Sequence, residues 1–467
     1  MKKSAHIWFV ATTLMVVTLA CGSLPIASPT LDVNDVVATQ LAATLTALAP
    51  GAPQQATSAP DLATAPPSLA STLPPLPRLL RVAYVKDNNA WIWTEGIGGM
   101  PLTASGGIQD VVRISDDGQV VVYVRESVPF RPEIRAINSD GSGERILVSS
   151  ADFLATYSGS PGDAPSGIGV FQMGWRPGSH VLYYNTRPLF EGPGLMGYDD
   201  LRMVNADTLD RVTLFNPGDG GMFYFSPNGA QLAILTPTSI SLTSISLADA
   251  DGSNLRRNVL TFASVITYSE YLYYPHPVWA ADSSALRVAI PPADPMLTPL
   301  NPTGLWYIPI DGSPAVFSGN ILALPFAWPD TAISPDLSRV GYAMPVGVPT
   351  DNLRELHLAN ADSSGDTVYI GGESAEFTGW LPNSAQFVFV VRGSGVTRGT
   401  HVGSVGGGYT TLSTDPFLMH AITWVDSTHF LYLWNNSGAW ELRYNELGGA
   451  GSTLLDTGQI WSYDYSN

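Results

Sequence analysis

The chain has almost no cysteine, almost no lysine and few charges of any kind. Cys21 is the single cysteine in 467 residues. No disulfide can close within the chain, so its stability rests on burial rather than cross-links. Lysine occurs only at Lys2, Lys3 and Lys86, and charged residues make up 13% of the total. The formal net charge is -18. A surface this acidic repels phosphate backbones, which excludes nucleic acid as a partner. It argues equally against docking on anionic lipid through a basic patch. What is abundant is glycine (45) and proline (37), a composition that suits many short strands joined by turns.

The first 21 residues read as an address. MKKSAHIWFVATTLMVVTLAC carries two lysines and then a run without charge from Ile7 to Ala20, 14 residues long. A membrane-spanning helix needs about 20 residues. The run instead fits the apolar centre of a secretory signal, residues 1–20. The four residues Thr18, Leu19, Ala20 and Cys21 resemble the lipobox of bacterial lipoproteins, with Thr18 standing where leucine is favoured. The resemblance implies lipidation of Cys21, cleavage before it and acylation of the new amino terminus. Each buried methylene of such an anchor contributes about 0.8 kcal/mol, and two or more chains hold where one does not.

Residues 21–78 read as a tether. ATSAPDLATAPPSLASTLPPLP cannot bury enough surface to offset its ordering entropy. Within it, residues 33–48 have helical spacing, with Val36, Val37, Leu41, Leu45 and Leu48 three to four residues apart behind Asn34.

From residue 79 a pattern recurs. ISDDGQVVVYV, WRPGSHVLYY, FSPNGAQLAIL, WAADSSALRVAI, ISPDLSRVGYAM, WLPNSAQFVFVV and WVDSTHFLYLW each begin on a large apolar residue, turn, and run into a strand. The anchors are Ile114, Trp175, Phe225, Trp279, Ile333, Trp380 and Trp424, spaced 44 to 61 residues apart. That period suits four-stranded propeller blades. D-G hairpins recur inside the units, as in INSDGSGERIL and IPIDGSPAVF. These motifs resemble the propeller repeats of the TolB family and of prolyl-oligopeptidase-type proteins over residues 79–467. The resemblance implies an all-β propeller in which each anchor packs between adjacent blades. It implies nothing about a ligand.

The first unit lacks an inner strand, and the last, WSYDYSN, consists of one alone. Joined, they complete a blade and close the ring. Trp461 then supplies an eighth anchor, and eight four-stranded blades are expected, with seven as the alternative.

No catalytic motif survives inspection. VGSVGG (402–407) lacks the first glycine of G-x-S-x-G, and SDDG and SPNG lack the spacer of a sialidase box. His180, His276, His357, His401, His420 and His429 show no metal-binding spacing. Neither a catalytic residue, a metal nor a cofactor is expected. The aromatic segment YSEYLYYPHPVW offers a ligand surface at Tyr268, Tyr271, Tyr273, Tyr274 and His276. The expectation is a monomeric, lipid-anchored protein at the extracytoplasmic side of the cell envelope, whose propeller is a scaffold for a protein, peptide or other ligand. A hydrolase or lyase acting on a glycan or peptide in the funnel is the alternative.

Overall fold

The computed structural model describes residues 79–156, 167–189, 199–237, 241–267, 271–295, 300–323, 333–347 and 353–467. The signal (1–20), Cys21, the tether (21–78), its helical segment (33–48) and Tyr268 lie outside the described residues.

The described residues form eight antiparallel blades in a closed propeller, with one further two-stranded hairpin, Val265–Thr267 and Tyr271–Tyr273. Strands are lettered A to D outward from the axis. Blade 2 runs Ile108–Ile114, Val120–Glu126, Pro132–Asn138 and Arg145–Val148. Blade 3 runs Gly167–Trp175, Val181–Leu189, Leu201–Asn205 and Arg211–Phe215. Blade 4 runs Met222–Phe225, Gln231–Pro237, Leu242–Asp249 and Arg256–Ala263. Blade 5 runs Val278–Trp279, Ala285–Ile290, Thr303–Pro309 and Val316–Ile321. Blade 6 has Arg339–Pro345, Arg354–Asn360 and Thr367–Ile370, with Ile333 bridged to Val340 on its inner side. Blade 7 runs Ala375–Trp380, Gln386–Val391, Gly399–Ser404 and Tyr409–Ser413, and blade 8 Met419–Trp424, His429–Asn436, Ala439–Glu446 and Thr453–Gly458.

Blade 1 is built from both ends of the repeat. Its outer strands are Arg81–Lys86, Asn89–Thr94 and Gly98–Pro101, and its inner strand is Ile460–Ser466, paired with Arg81–Lys86. The expected closure and the count of eight both hold. A short helix, α1 (Ser150–Thr156), follows blade 2 where the sequence suggested only a long connection. Ser149 and Asp152 cap it reciprocally: the Asp152 N–H donates to Ser149 Oγ at 3.2 Å and the Ser149 N–H to Asp152 Oδ2 at 2.9 Å.

Why the A strands line the axis is visible in their cross-links. Gln172 of blade 3 exchanges two hydrogen bonds with the Phe223 backbone of blade 4, at 2.7 and 2.9 Å. Trp279 Nε1 donates to the Tyr224 carbonyl at 3.1 Å. Tyr463 Oη lies within hydrogen-bond distance of the Ala421 and Leu431 carbonyls and of Thr423 Oγ1, all of blade 8. On its other side, Asp464 accepts the Ile114 N–H of blade 2 at 2.9 Å.

The anchors pack as the repeat requires. Trp175, Trp279, Trp380, Ile114 and Ile333 are buried. Each joins a core drawn from two blades; Trp279, for example, packs with Leu235 and Ile245 of blade 4 and Leu286 of blade 5. Phe225 and Trp424 are partly buried in equivalent places.

Trp461 does not take its expected place. It is 50% exposed, near the start of its strand. In the other blades the anchor pairs with the second residue of strand B, as in Trp175↔Leu182 and Trp380↔Phe387. In blade 1 that pairing is Val82↔Tyr465. Tyr465 is therefore the eighth anchor, and its hydroxyl donates to the Trp424 carbonyl at 2.7 Å. W-S-Y-D mimics the repeat motif four residues early, because the strand continues to Ser466 instead of turning.

The A–B turns also bind the blades to one another. Gly118, Gly178 and Gly229 take the positive φ that these turns need. In blades 5, 6 and 7 the place falls to Ser283, Leu337 and Ser384. The two serines repay the strain: Ser283 Oγ accepts the Asn228 N–H at 3.2 Å, and Ser384 Oγ accepts the Asp336 N–H at 3.0 Å. Arg176 Nε donates to the Gly229 carbonyl at 2.9 Å, and the Gly178 N–H donates to Asp116 at 2.6 Å. A belt of such bonds runs along one end of the propeller.

Candidate functional site

Antiparallel connectivity sorts the links between strands onto two ends. The A–B and C–D turns lie at one, here the turn end. The B–C links and the crossings between blades lie at the other, the loop end.

The turn end is acidic by construction. Its turns expose Asp140, Asp251, Asp282, Asp311 and Asp362. Each accepts hydrogen bonds from the serine two residues on, as in Asp140–Ser142 (Oγ at 2.6 Å, N–H at 2.9 Å). Those bonds hold all five carboxyls below the usual carboxylate range, so they stay ionised. Its exposed aliphatic side chains include Ile97 and Leu209.

His180 is clamped within this end. Its Nδ1 lies 2.9 Å from Asp207 and its Nε2 3.1 Å from Asp117, which belongs to the neighbouring blade. Burial opposes its protonation, but the hydrogen bonds and charges of the two carboxylates outweigh burial and raise its pKa. His429 turns instead to Asp426 in its own turn, at 2.9 Å. The two histidines serve separate turns.

The loop end is apolar and aromatic. Val128, Phe130, Leu353 and Phe417 are exposed there, and Val396 is fully exposed at the tip of the blade 7 B–C loop. Phe417 has two guanidinium groups near its ring, Arg392 at 5.0 Å and Arg398 at 5.5 Å from its centre. Glu376 holds Arg392 at 3.0 Å, and Asp415 lies 3.6 Å from Arg398. Each cation is thus positioned over the ring, where the attraction is about 0.5–1 kcal/mol at an exposed site.

A second arginine–aromatic group stands on blade 3. Arg187 makes a bidentate pair with the buried Asp199, at 2.6 and 2.7 Å. Its guanidinium carbon lies 3.9 Å from the centre of the half-exposed Phe171 ring. Arg187 also donates to Tyr274 Oη at 3.0 Å. Burial pushes the Tyr274 hydroxyl up to about 12.

The expected tyrosine surface is therefore only partly assembled. Tyr271 and Tyr273 belong to a hairpin strand, Tyr271–Tyr273, paired with Val265–Thr267 at the loop end. Tyr274 turns inward and joins the core of blades 4 and 5. His276 lies against Tyr224, with ring centres 4.6 Å apart. Phe417, Arg392, Arg398 and Phe171 were not singled out in the sequence. Arginines six residues apart in VRGSGVTRG are a signal in so acidic a chain, but the phenylalanine between them is 19 residues beyond Arg398 and reaches them only through the fold.

On the innermost strands, burial holds the Asp464 carboxyl above the usual carboxylate range. Glu376 is held by Arg392. Among the described residues, no group of three or more His, Cys, Asp or Glu side chains is placed to hold a metal ion. No helix among them is long and apolar enough to cross a membrane.

No protein-family model matches this chain. No curated protein matches it either. Among solved structures, it is similar to a prolyl endopeptidase described for inter-domain dynamics in catalysis and specificity, at 13% identity and a TM-score of 0.44. That likeness covers 63% of this chain and 43% of the endopeptidase. TolB from Acinetobacter baumannii is 16% identical, with a TM-score of 0.31 and 61% of each chain covered. The β-propeller domain of the trilobed protease from Pyrococcus furiosus is 9% identical, with a TM-score of 0.45, over 75% of this chain and 95% of that one. The chain thus spans less than two thirds of the endopeptidase and of TolB. These are distant likenesses, and the eight blades rest on the strand pairing described above.

Proposed function

We propose that this chain is a membrane-tethered recognition module of the cell envelope, with a TolB-like propeller that binds a protein or peptide partner at its loop end. The observation that supports this reading is the contrast between the two ends. One end is a rigid belt of ionised aspartates. The other displays Val128, Phe130, Val396 and Phe417, with arginines held over the phenylalanine ring. Aromatic and arginine side chains are enriched where interfaces carry their binding energy. In this reading residues 1–20 are a signal peptide, Cys21 carries the acyl anchor, and residues 22–78 hold the propeller away from the bilayer on the extracytoplasmic side.

The test is site-specific photo-cross-linking in native membranes. A photoreactive residue at Val396 is expected to capture a discrete partner, whereas one at Asp362 on the turn end is not. Capture at Asp362 and none at Val396 overturns the reading.

A second reading is a hydrolase or lyase working on a glycan or peptide in the funnel. It is favoured by Asp464, a carboxyl on the innermost strand of blade 1 whose burial keeps it protonated to a higher pH, as a general acid requires. Turnover of an oligosaccharide or peptide library that is abolished by Asp464→Asn would support it. Turnover unaffected by that change would remove it.

A further inference from the structure

Between blades 7 and 8, beside the inner strands, lies a cavity of 500 Å³ that neither reading above uses. Its volume falls in the range of small-molecule sites, about 300–1,000 Å³. We propose that it binds a neutral sugar ring.

The cavity exists because both inner strands bulge at the same level. The register of Ala375–Trp380 slips between Phe377 and Gly379, and that of Met419–Trp424 slips between His420 and Thr423. Each bulge releases backbone polar groups from the ladder and re-aims the side chains beside it. The residues so placed are Thr378, Gly379 and Thr423, and the walls are the anchors Trp380 and Trp424 with Pro382 beside them.

The chemistry of this lining selects the ligand. None of its side chains carries a charge, in a chain whose net charge is -18. A charged ligand would lose its hydration without gaining a counter-charge. Trp424 is partly exposed and lines the cavity, where an indole packs favourably against aliphatic C–H groups. Among the described residues, neither its Nε1–H nor the Thr378 hydroxyl has a hydrogen-bond partner. Thr423 Oγ1 lies 3.1 Å from Tyr463 Oη and, whichever of the two donates, retains a lone pair for a ligand hydroxyl. An apolar face beside uncharged donors and acceptors matches the two faces of a pyranose: axial C–H groups on the ring and hydroxyls on the rim.

Gly379 gives the means to test it. A Cβ built there meets nothing within 4 Å, and its backbone is not in the left-handed region. Gly379→Leu therefore starts into open space with no backbone strain and narrows the cavity, unlike removal of Trp424, which would open the core between blades.

The experiment is saturation-transfer NMR on the full chain with cellobiose, N-acetylglucosamine, glucuronic acid and tetraproline as probes. Transfer to ring C–H protons of a neutral sugar is expected, absent in Gly379→Leu and about fivefold weaker in affinity in Thr378→Val, the worth of one hydrogen bond. Thermal melting checks that both variants fold; should the leucine variant fail, the valine variant carries the test. The proposal is overturned by no transfer to either neutral sugar, by equal binding in both variants, by tighter binding of glucuronic acid, or by tetraproline alone binding at this cavity. Neither outcome bears on the loop-end partner, since the cross-linking test there is independent of this cavity.

Discussion

At the scale of single residues, His180 shows how a repeat position acquires a task. The same place after the turn in blade 8 holds His429, whose side-chain bonds, to Asp426 and Thr428, stay within its own turn. His180 instead bridges Asp207 and Asp117, and so ties blade 3 to blade 2. Its pKa is raised above the ordinary value of 6.5. The stabilisation from a raised pKa is fully present below the ordinary value and is lost as pH rises through the folded value. Melting temperature of the wild type should therefore fall, relative to His180→Gln, as pH is taken from 5.5 to about 9. Asp117 and Asp207 are substantially exposed, so solvent screening limits the effect to about 0.5 kcal/mol. Parallel melting curves across that range would show the clamp to be idle.

At the scale of elements, the closing strand Ile460–Ser466 does more than pair with Arg81–Lys86. Tyr463 ties it to blade 8, Asp464 to blade 2, and Tyr465 fills the anchor place. Ser466 Oγ also donates to the Asp116 carbonyl at 2.7 Å in the belt of turns. Deleting residues 459–467 would bare the edge of blade 1 and both adjoining cores. Calorimetry should find the cooperative transition lost or lowered by more than 10 °C, whereas removing residues 50–70 should leave it in place. An unchanged transition after the first deletion would refute closure by this strand. The need for such a strand was legible in the sequence, because the first unit lacked its inner strand and the last had nothing else. The register was not. Tryptophan followed by Ser-Tyr-Asp matches the repeat motif, and only the Val82↔Tyr465 pairing shows which aromatic is the anchor.

At the scale of the whole molecule, the repeat dictates two unlike ends. Blades 2 to 8 contribute tight Asx turns to one, and the aspartates among them face solvent. Blades 2 to 7 contribute their longer B–C links to the other, where sequence is free to vary and binding groups collect. If the chain is anchored through Cys21, Cys21→Ser should move it from the membrane fraction to the soluble extracytoplasmic fraction. Retention in the membrane fraction would end that reading, without touching the propeller.

The sequence by itself determined the all-β class, the propeller and its closure from both ends of the repeat, because these follow from local signals: period, anchor, turn and alternation. Tertiary structure decided what each exposed residue does. Tyr274 looked available and is bonded to Arg187 across 87 positions of chain, whereas Phe417 looked unremarkable and meets two arginines. The cavity at Gly379 comes from two bulges in neighbouring strands. Such sites depend on which distant segments meet, and no local pattern encodes that meeting.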